Sequence, residues 1–541
     1  MKLRGKIVDI INSKIYNGEV SFENGKITNI IKIDEECDSY ILPGLIDSHV
    51  HIESSMLTPS QFSKLVVPRG TVAVVTDPHE IANVMGVDGV DYMINDASKT
   101  PLKCFFGAPS CVPATSFETS GAVISSKEIA QLLERNDIWF LSEMMNFPGV
   151  IYQDEEVWNK INAAHKAGKK IDGHAPGLVG EDLKKYTNAG ISSDHECVSV
   201  EEAIDKIEQG VTVQIREGSA AKNFDVLSPL FETHPENIML CTDDSHPDEI
   251  INKGHIDKII RLGLSKGIDI FKLLRAAILK PIEHYNLPVG LLREGDSADL
   301  IVVDNLSDFN IQQTFINGEK VFEDGKLQFN VPQSETINNF NISEIKEEDI
   351  IVEYKVGKDI RVISAMDGDL LTDEFIWTPS NDNGIITSSS EKDILKIVIL
   401  NRYNSAPPVV GFIKNIGLKQ GAIACSVAHD SHNLIAVGVS DKDIVSALNE
   451  IIKHRGGISY AYNSDIDILP LEVAGLMTSK SGIEVAKKYQ LMNEKAQQFG
   501  SKLHAPFMTL SFMSLLVIPK LKIGDKGLFD VSTFSFTNLY V

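Results

Sequence analysis

The stretch Leu42-Pro43-Gly44-Leu45-Ile46-Asp47-Ser48-His49-Val50-His51 decides how this chain is read. It is an apolar run that ends in two histidines one residue apart. In an extended strand the side chains at i and i+2 point to the same side, so His49 and His51 can aim both imidazoles at one point. That geometry suits a metal ion, because neutral imidazole is a common metal ligand. A His-x-His pair by itself is equally compatible with an ordinary core or surface position, so the surrounding pattern has to decide.

Working outward, the run Ile41–Ile46 is the first of eight short apolar runs separated by helical patterns. The others are Thr71–Thr76, Lys103–Gly107, Ile138–Ser142, Lys169–Asp172, Gly190–Ser193, Thr212–Ile215 and Ile238–Thr242. Alternation of this kind over residues 41–285 predicts βα repeats closing into a (β/α)8 TIM-like barrel of ordinary size. Residues 1–40 read as short strands broken by Asn17-Gly18 and Asn24-Gly25, and residues 286–330 echo them with Leu300–Asp304, Phe315–Val321 and the turns Asn317-Gly318 and Asp324-Gly325. Asn-Gly and Asp-Gly between alternating apolar residues are strong hairpin signals. The two pieces are therefore expected to pack together as a small β-sandwich before and after the barrel. Residues 331–541 open with the polar Pro332-Gln333-Ser334-Glu335-Thr336. They then mix strand-like runs (Leu395–Leu400, Leu434–Val439) with helical ones (Asp441–Lys453, Gly482–Gln498), which predicts a C-terminal α+β domain.

Composition narrows the function. The 541 residues are too many for one ordinary core, and 75 acidic against 51 basic residues give a formal charge of -24. That balance argues against a phosphate backbone or an anionic membrane as the main partner and reads as a solvated acidic surface. The six cysteines are scattered without a Cys-x-x-Cys pair, as expected of reduced thiols in a cytoplasmic protein, and they exclude a zinc ribbon. The N-terminus Met1-Lys2-Leu3-Arg4-Gly5 lacks a signal-peptide core, and no apolar run reaches the roughly 18 residues of a membrane helix.

In a barrel of this kind the chemistry sits at the carboxyl ends of the strands. Strand one is followed by His49 and His51, strand two by Asp77 and His79, strand four by Glu143, strand five by His174, strand six by His195, and strand eight by Asp243-Asp244-Ser245-His246. One His after a strand is unremarkable, but four histidines and two carboxylates at one rim point to a metal centre. Imidazole and carboxylate donors without thiolate accommodate Mn2+, Fe2+ or Zn2+. Six ligands exceed one tetrahedral site and suit two divalent ions, with a carboxylate such as Glu143 between them and an activated hydroxide as nucleophile. Asp243 would be both ligand and proton shuttle.

Longer strings carry a resemblance. Pro43–His51 with the strand-end ligands resembles the amidohydrolase superfamily. Within it, Asp47–Met56, Thr76–Val84, Asp172–Gly177, Ser193–Glu196, Thr242–Asp244 and, further on, Val427–Asn433 are similar to the adenine deaminases. The resemblance implies a two-metal barrel in which hydroxide attacks C6 of adenine, giving hypoxanthine and ammonia. It places His49, His51 and Asp243 on one ion and His174 and His195 on the other, with Glu143 shared and Mn2+ or Fe2+ favoured over Zn2+. It further implies a cytoplasmic enzyme of purine salvage or adenine catabolism, assembled as a homo-oligomer, a dimer being favoured. Many superfamily members bridge their ions with a carbamylated Lys after strand four; here Ser142-Glu143-Met144 offers none, and Glu143 takes its place.

Other residues have weaker claims. Asp77, His79 and Ser245 are candidates to contact substrate or support the ligands. Arg216 and Glu217, after strand seven, could hold a purine edge or pair with each other to shape their loop. His429 and His432, in a Ser/Asp/His-rich loop of the third region, are ligand-spaced. The same metal centre could alternatively open a cyclic amide or ureide, as dihydropyrimidinase- or hydantoinase-like enzymes do. The His-x-Glu and Pro-Cys-x-x-Cys signature of the nucleic-acid deaminases is absent.

Overall fold

A computed structural model of the chain describes residues 1–219 and 221–541. They divide into two compact units. The first comprises residues 1–79, 90–111 and 125–334, and the second residues 80–89, 112–124 and 335–541.

The first unit holds a barrel of eight strands hydrogen-bonded in sequence order, every neighbouring pair parallel. Its strands are Leu45–Val50, Thr71–Thr76, Lys103–Ala108, Ile138–Met144, Lys170–Gly173, Ile191–Asp194, Thr212–Arg216 and Ile238–Cys241. The ends meet through a parallel bridge between Val50 and Asp243, which closes the barrel. Helices cover the outside: Ile256–Ser265, for example, buries Ile256, Ile259 and Ile260 against Leu240, Val213 and Leu273.

The same unit carries an eight-stranded sheet made from both flanks of the barrel. Lys2–Asp9, Lys14–Glu23, Lys26–Lys32 and Tyr40–Pro43 join Leu300–Val303, Ile311–Ile316, Glu319–Glu323 and Lys326–Leu327. Ile7, Val20, Phe22, Ile41, Leu300 and Phe315 form its core. Asn24-Gly25, Asn317-Gly318 and Asp324-Gly325 turn with both residues at positive φ, the conformation that suits twisted hairpins.

Two expectations need correction. Asn17-Gly18 is not a turn but lies inside Lys14–Glu23. Gly18 is there for close approach, since a Cβ would come 2.7 Å from Ile7 Cγ1. The run Ile41–Ile46 is two strands rather than one: Tyr40–Pro43 pairs antiparallel with Leu300–Val303, and the barrel begins only at Leu45. Gly44 sits at the break, where a Cβ would lie 2.3 Å from Val72 Cγ1.

The second unit is built on another eight-stranded sheet, in the order 372–377, 360–365, 409–414, 394–400, 434–438, 422–425, 457–462, 465–470. Helix Asp441–His454 packs on it through Ile444, Ala447, Leu448 and Ile451. Ser440 caps that helix by accepting from the Asp443 N–H at 3.2 Å. Among the described residues no helix is long and apolar enough to cross a membrane.

Candidate metal centre

Strand Leu45–Val50 is buried at every position, and His49 and His51 leave it 1% and 4% exposed. Strand eight locks this end. The Asp243 N–H donates to the His49 carbonyl at 2.9 Å, and the Asp243 carbonyl accepts from His51 N–H at 3.3 Å. Asp243 itself is held at φ +54°, a left-handed conformation costly for a residue with a Cβ. Beneath it, Asp47 accepts from Thr242 N–H at 3.0 Å and stands 3.0 Å from His255 Nε2. His255 Nδ1 in turn lies 2.9 Å from Thr71 Oγ1.

Glu143 is the centre of the cluster. Its Oε1 lies 3.2 Å from His51 Nε2 and 3.4 Å from His79 Nδ1, and its Oε2 lies 2.8 Å from His174 Nδ1 and 3.3 Å from His195 Nε2. Asp243 Oδ1 is 3.2 Å from His51 Nε2 and 3.6 Å from His49 Nε2. The rings of His49 and His195 stack at 4.1 Å, and those of His51 and His79 meet edge-on at 4.6 Å. The donor atoms fall into overlapping groups: His51 with Asp77, His79 and Glu143; His49 with His195 and Asp243; and Glu143 with His174 and His195. All six residues expected as ligands are thus brought together, with Asp77 and His79 beside them.

The chemistry of these atoms fits a cation. Neither ring nitrogen of His49 has a hydrogen-bond partner, and His195 Nδ1 also lacks one, though both rings are buried. A buried polar atom without a partner costs about 1–3 kcal/mol, which coordination would remove. His51 Nδ1–H donates to the Asp77 carbonyl at 3.0 Å. That bond fixes the tautomer and leaves Nε2 as the lone-pair donor toward Glu143 and Asp243.

Electrostatics agree. Burial opposes ionisation of Glu143, but the imidazoles of His174, His195 and His51 hold its carboxyl well below the usual range. Asp243 is likewise held well below its ordinary value against burial, first by Arg216 and then by His49 and His51. His174 rises to about 9 despite burial, through Glu196 and Glu143. Burial, and then His195, pushes His49 below its ordinary value.

Arg216 does not pair with Glu217. Its guanidinium spans Asp243 Oδ2 and both oxygens of Glu196, the far one at 3.2 Å. Glu217 stands 3.8 Å from Lys222 Nζ, and Ser245 is buried in the loop after strand eight. Sequence reasoning missed Glu196 although it follows His195 directly: Glu196 Oε1 lies 3.4 Å from His195 Nε2 and 3.7 Å from His174 Nδ1. An arginine ending the neighbouring strand was the available signal. His429 and His432 belong to the second unit, where they meet Glu80.

The chain is similar to known proteins. Residues 40–321 match the amidohydrolase family, and residues 369–535 match the adenine deaminase C-terminal domain. The chain is 55% identical to an adenine deaminase of Methanosarcina barkeri over 99% of both chains. It is 54% identical to one of Methanosarcina mazei, over 100% of this chain and 99% of that one. It is 50% identical to one of Parabacteroides distasonis, over 100% of this chain and 98% of that one. Likeness of this degree, running through both units, settles the assignment: the chain belongs to the adenine deaminase family of the amidohydrolases.

Proposed function

We propose that the chain hydrolyses adenine to hypoxanthine and ammonia at the rim of its barrel, with His49, His51 and Asp243 holding one divalent ion, His174 and His195 a second, and Glu143 shared between them. The observation that carries this reading is the Glu143 carboxylate, whose two oxygens each face two imidazoles within 3.4 Å. When bound, the ions would supply a water acidified toward neutral pKa. Mn2+ or Fe2+ is the metal we favour, on a donor set of imidazoles and carboxylates without thiolate.

The remaining work falls to the protein. Water adds through oxygen to C6, the C6–N6 bond breaks, and a proton must move from the water to the departing nitrogen. Asp243 is placed for that transfer. Arg216 occupies Oδ2 and keeps the carboxylate ionised, while Oδ1 faces the histidine pair. Glu196 fixes Arg216 from the other side, so the guanidinium is a positioning group rather than a reactant. Asp77 Oδ2 holds His79 Nδ1 at 3.1 Å, which orients that ring beside Glu143. The centre is walled by residues at most 7% exposed apart from His174, which limits competing water. Six free cysteines support a cytoplasmic setting.

The test is ammonia release. Chelator-stripped protein should be inert toward adenine and regain turnover on reloading with Mn2+. Reloaded protein that leaves adenine untouched but opens hydantoin or dihydropyrimidine rings would replace this reading with a cyclic-amide hydrolase.

A further inference from the structure

The second unit contains its own convergence of imidazole and carboxylate. Glu80 lies in the first turn of helix His79–Met85, and His429 and His432 lie in the turn between strands Ala422–Cys425 and Leu434–Gly438. Glu80 is 3% exposed, His429 7% and His432 0%. Glu80 Oε1 is 2.7 Å from His429 Nδ1, and Oε2 lies against His432 Nε2. One donor atom from each residue falls within 4.8 Å of the other two.

The turn that presents the histidines is tied down. His432 N–H donates to the Ala428 carbonyl at 2.7 Å, and His429 N–H to the Ser511 carbonyl at 3.1 Å. Asn433 donates to the Thr119 carbonyl at 2.9 Å. Phe512 stacks on the His429 ring at 4.6 Å and 13°, fixing its plane. These restraints hold two imidazoles at i and i+3 with their nitrogens toward one carboxylate.

Hydrogen bonding does not account for the His432 ring. Neither ring nitrogen of the fully buried His432 makes a hydrogen bond, although Nε2 sits beside Glu80. A buried imidazole with both nitrogens unsatisfied is costly, and a cation at the convergence point would use the Nε2 lone pair. A second carboxylate, Asp430 Oδ1, stands 4.0 Å from His429 Nδ1, so two negative charges are present to balance a divalent ion.

We propose that Glu80, His429 and His432 form a further metal site, separate in its ligands from the barrel centre, that takes a divalent transition-metal ion of the Zn2+ type. Two imidazoles and a carboxylate without thiolate suit such an ion, with water completing the shell. Bound there, it fastens the 427–433 turn to the 80–89 segment within the second unit.

Metal stoichiometry after stripping and reloading with Co2+ tests this directly. His432→Ala and Glu80→Gln should each bind one equivalent fewer than the unaltered protein, and Glu143→Gln, which cripples the barrel centre, should retain an equivalent that the added His432→Ala change removes. Equal metal content in the unaltered protein, His432→Ala and Glu80→Gln overturns the site. The glutamine variant keeps side-chain volume should the alanine variant fail to fold. If both misfold, the Co2+ stoichiometry of the unaltered protein decides: a third equivalent beyond the two of the barrel centre supports the proposal, and no more than two overturns it. Failure of the barrel reading shows separately, as unchanged metal content and unchanged ammonia release in Glu143→Gln.

Discussion

The barrel centre and the Glu80–His429–His432 cluster use the same two side-chain types but reach them by different routes. In the barrel, the groups are delivered from the ends of strands spread around one parallel sheet: His49 and His51 from the first, Glu143 from the fourth, His195 from the sixth, Asp243 from the eighth. In the second unit, two histidines come from one short turn, and the carboxylate comes from a helix more than 300 positions earlier in the chain. Charge is handled differently as well. Around the barrel centre anions meet imidazoles and Arg216, whereas Lys522 in the second unit is fully buried and donates to two backbone carbonyls, of Leu370 and Phe512. A regular scaffold makes a site by repetition; an irregular one makes it by folding distant segments together.

Five outcomes sharpen or break this contrast, four substitutions taken from the largest effect downward and then one pH dependence. Glu143→Gln should abolish ammonia release and lower bound metal, because one carboxylate serves four imidazoles; activity and metal analysis on the same preparation check it. Asp243→Asn should lower kcat by about 10²–10⁴-fold, the usual range for loss of a proton-transfer group, in steady-state kinetics. Asp47→Ala should destabilise the barrel by about 1–3 kcal/mol in denaturant unfolding, since it leaves the Thr242 N–H buried without its acceptor. Arg216→Met should reduce kcat/KM by about 10–100-fold, the usual scale for a group that orients a ligand, and an unchanged value would remove Arg216 from the account.

The remaining outcome is a pH dependence and concerns Lys522. Burial lowers its ammonium to about 7, well below its ordinary value of 10.5, with Asp369 opposing the shift. Between those values the unfolded chain binds the extra proton, so stability should rise with pH from about 7 to 10.5 and be flat below. Lys522→Met should flatten that rise in thermal melts of the second unit.

Much of the barrel was legible because a strand's apolar run and the polar residue after it are adjacent in sequence. Even Lys170–Gly173 and Ile191–Asp194, weak strand formers by propensity, stand out as short runs alternating with helical patterns, and burial between neighbours decides their conformation. Strand one was misjudged because Ile41–Ile46 is continuously apolar, and only the contact of Gly44 with Val72 shows why the chain changes sheets there. Asn17-Gly18 misled because its glycine answers a cross-strand contact rather than a turn. Glu196 and the partners of Arg216 were hidden because ion pairs between neighbouring strands leave no fixed spacing. Glu80 was hidden more deeply: it sits in a stretch that reads as barrel yet clusters with the second unit.

The central claim is that Glu143 organises the metal pair that deaminates adenine. The most direct measurement is ammonia release from adenine by unaltered and Glu143→Gln protein, each stripped and then titrated with Mn2+ while bound metal is counted. The account predicts that the unaltered protein regains activity as metal binds, whereas Glu143→Gln binds less and stays inert. Full turnover by Glu143→Gln at unaltered metal content, or by the stripped protein without metal, would contradict it.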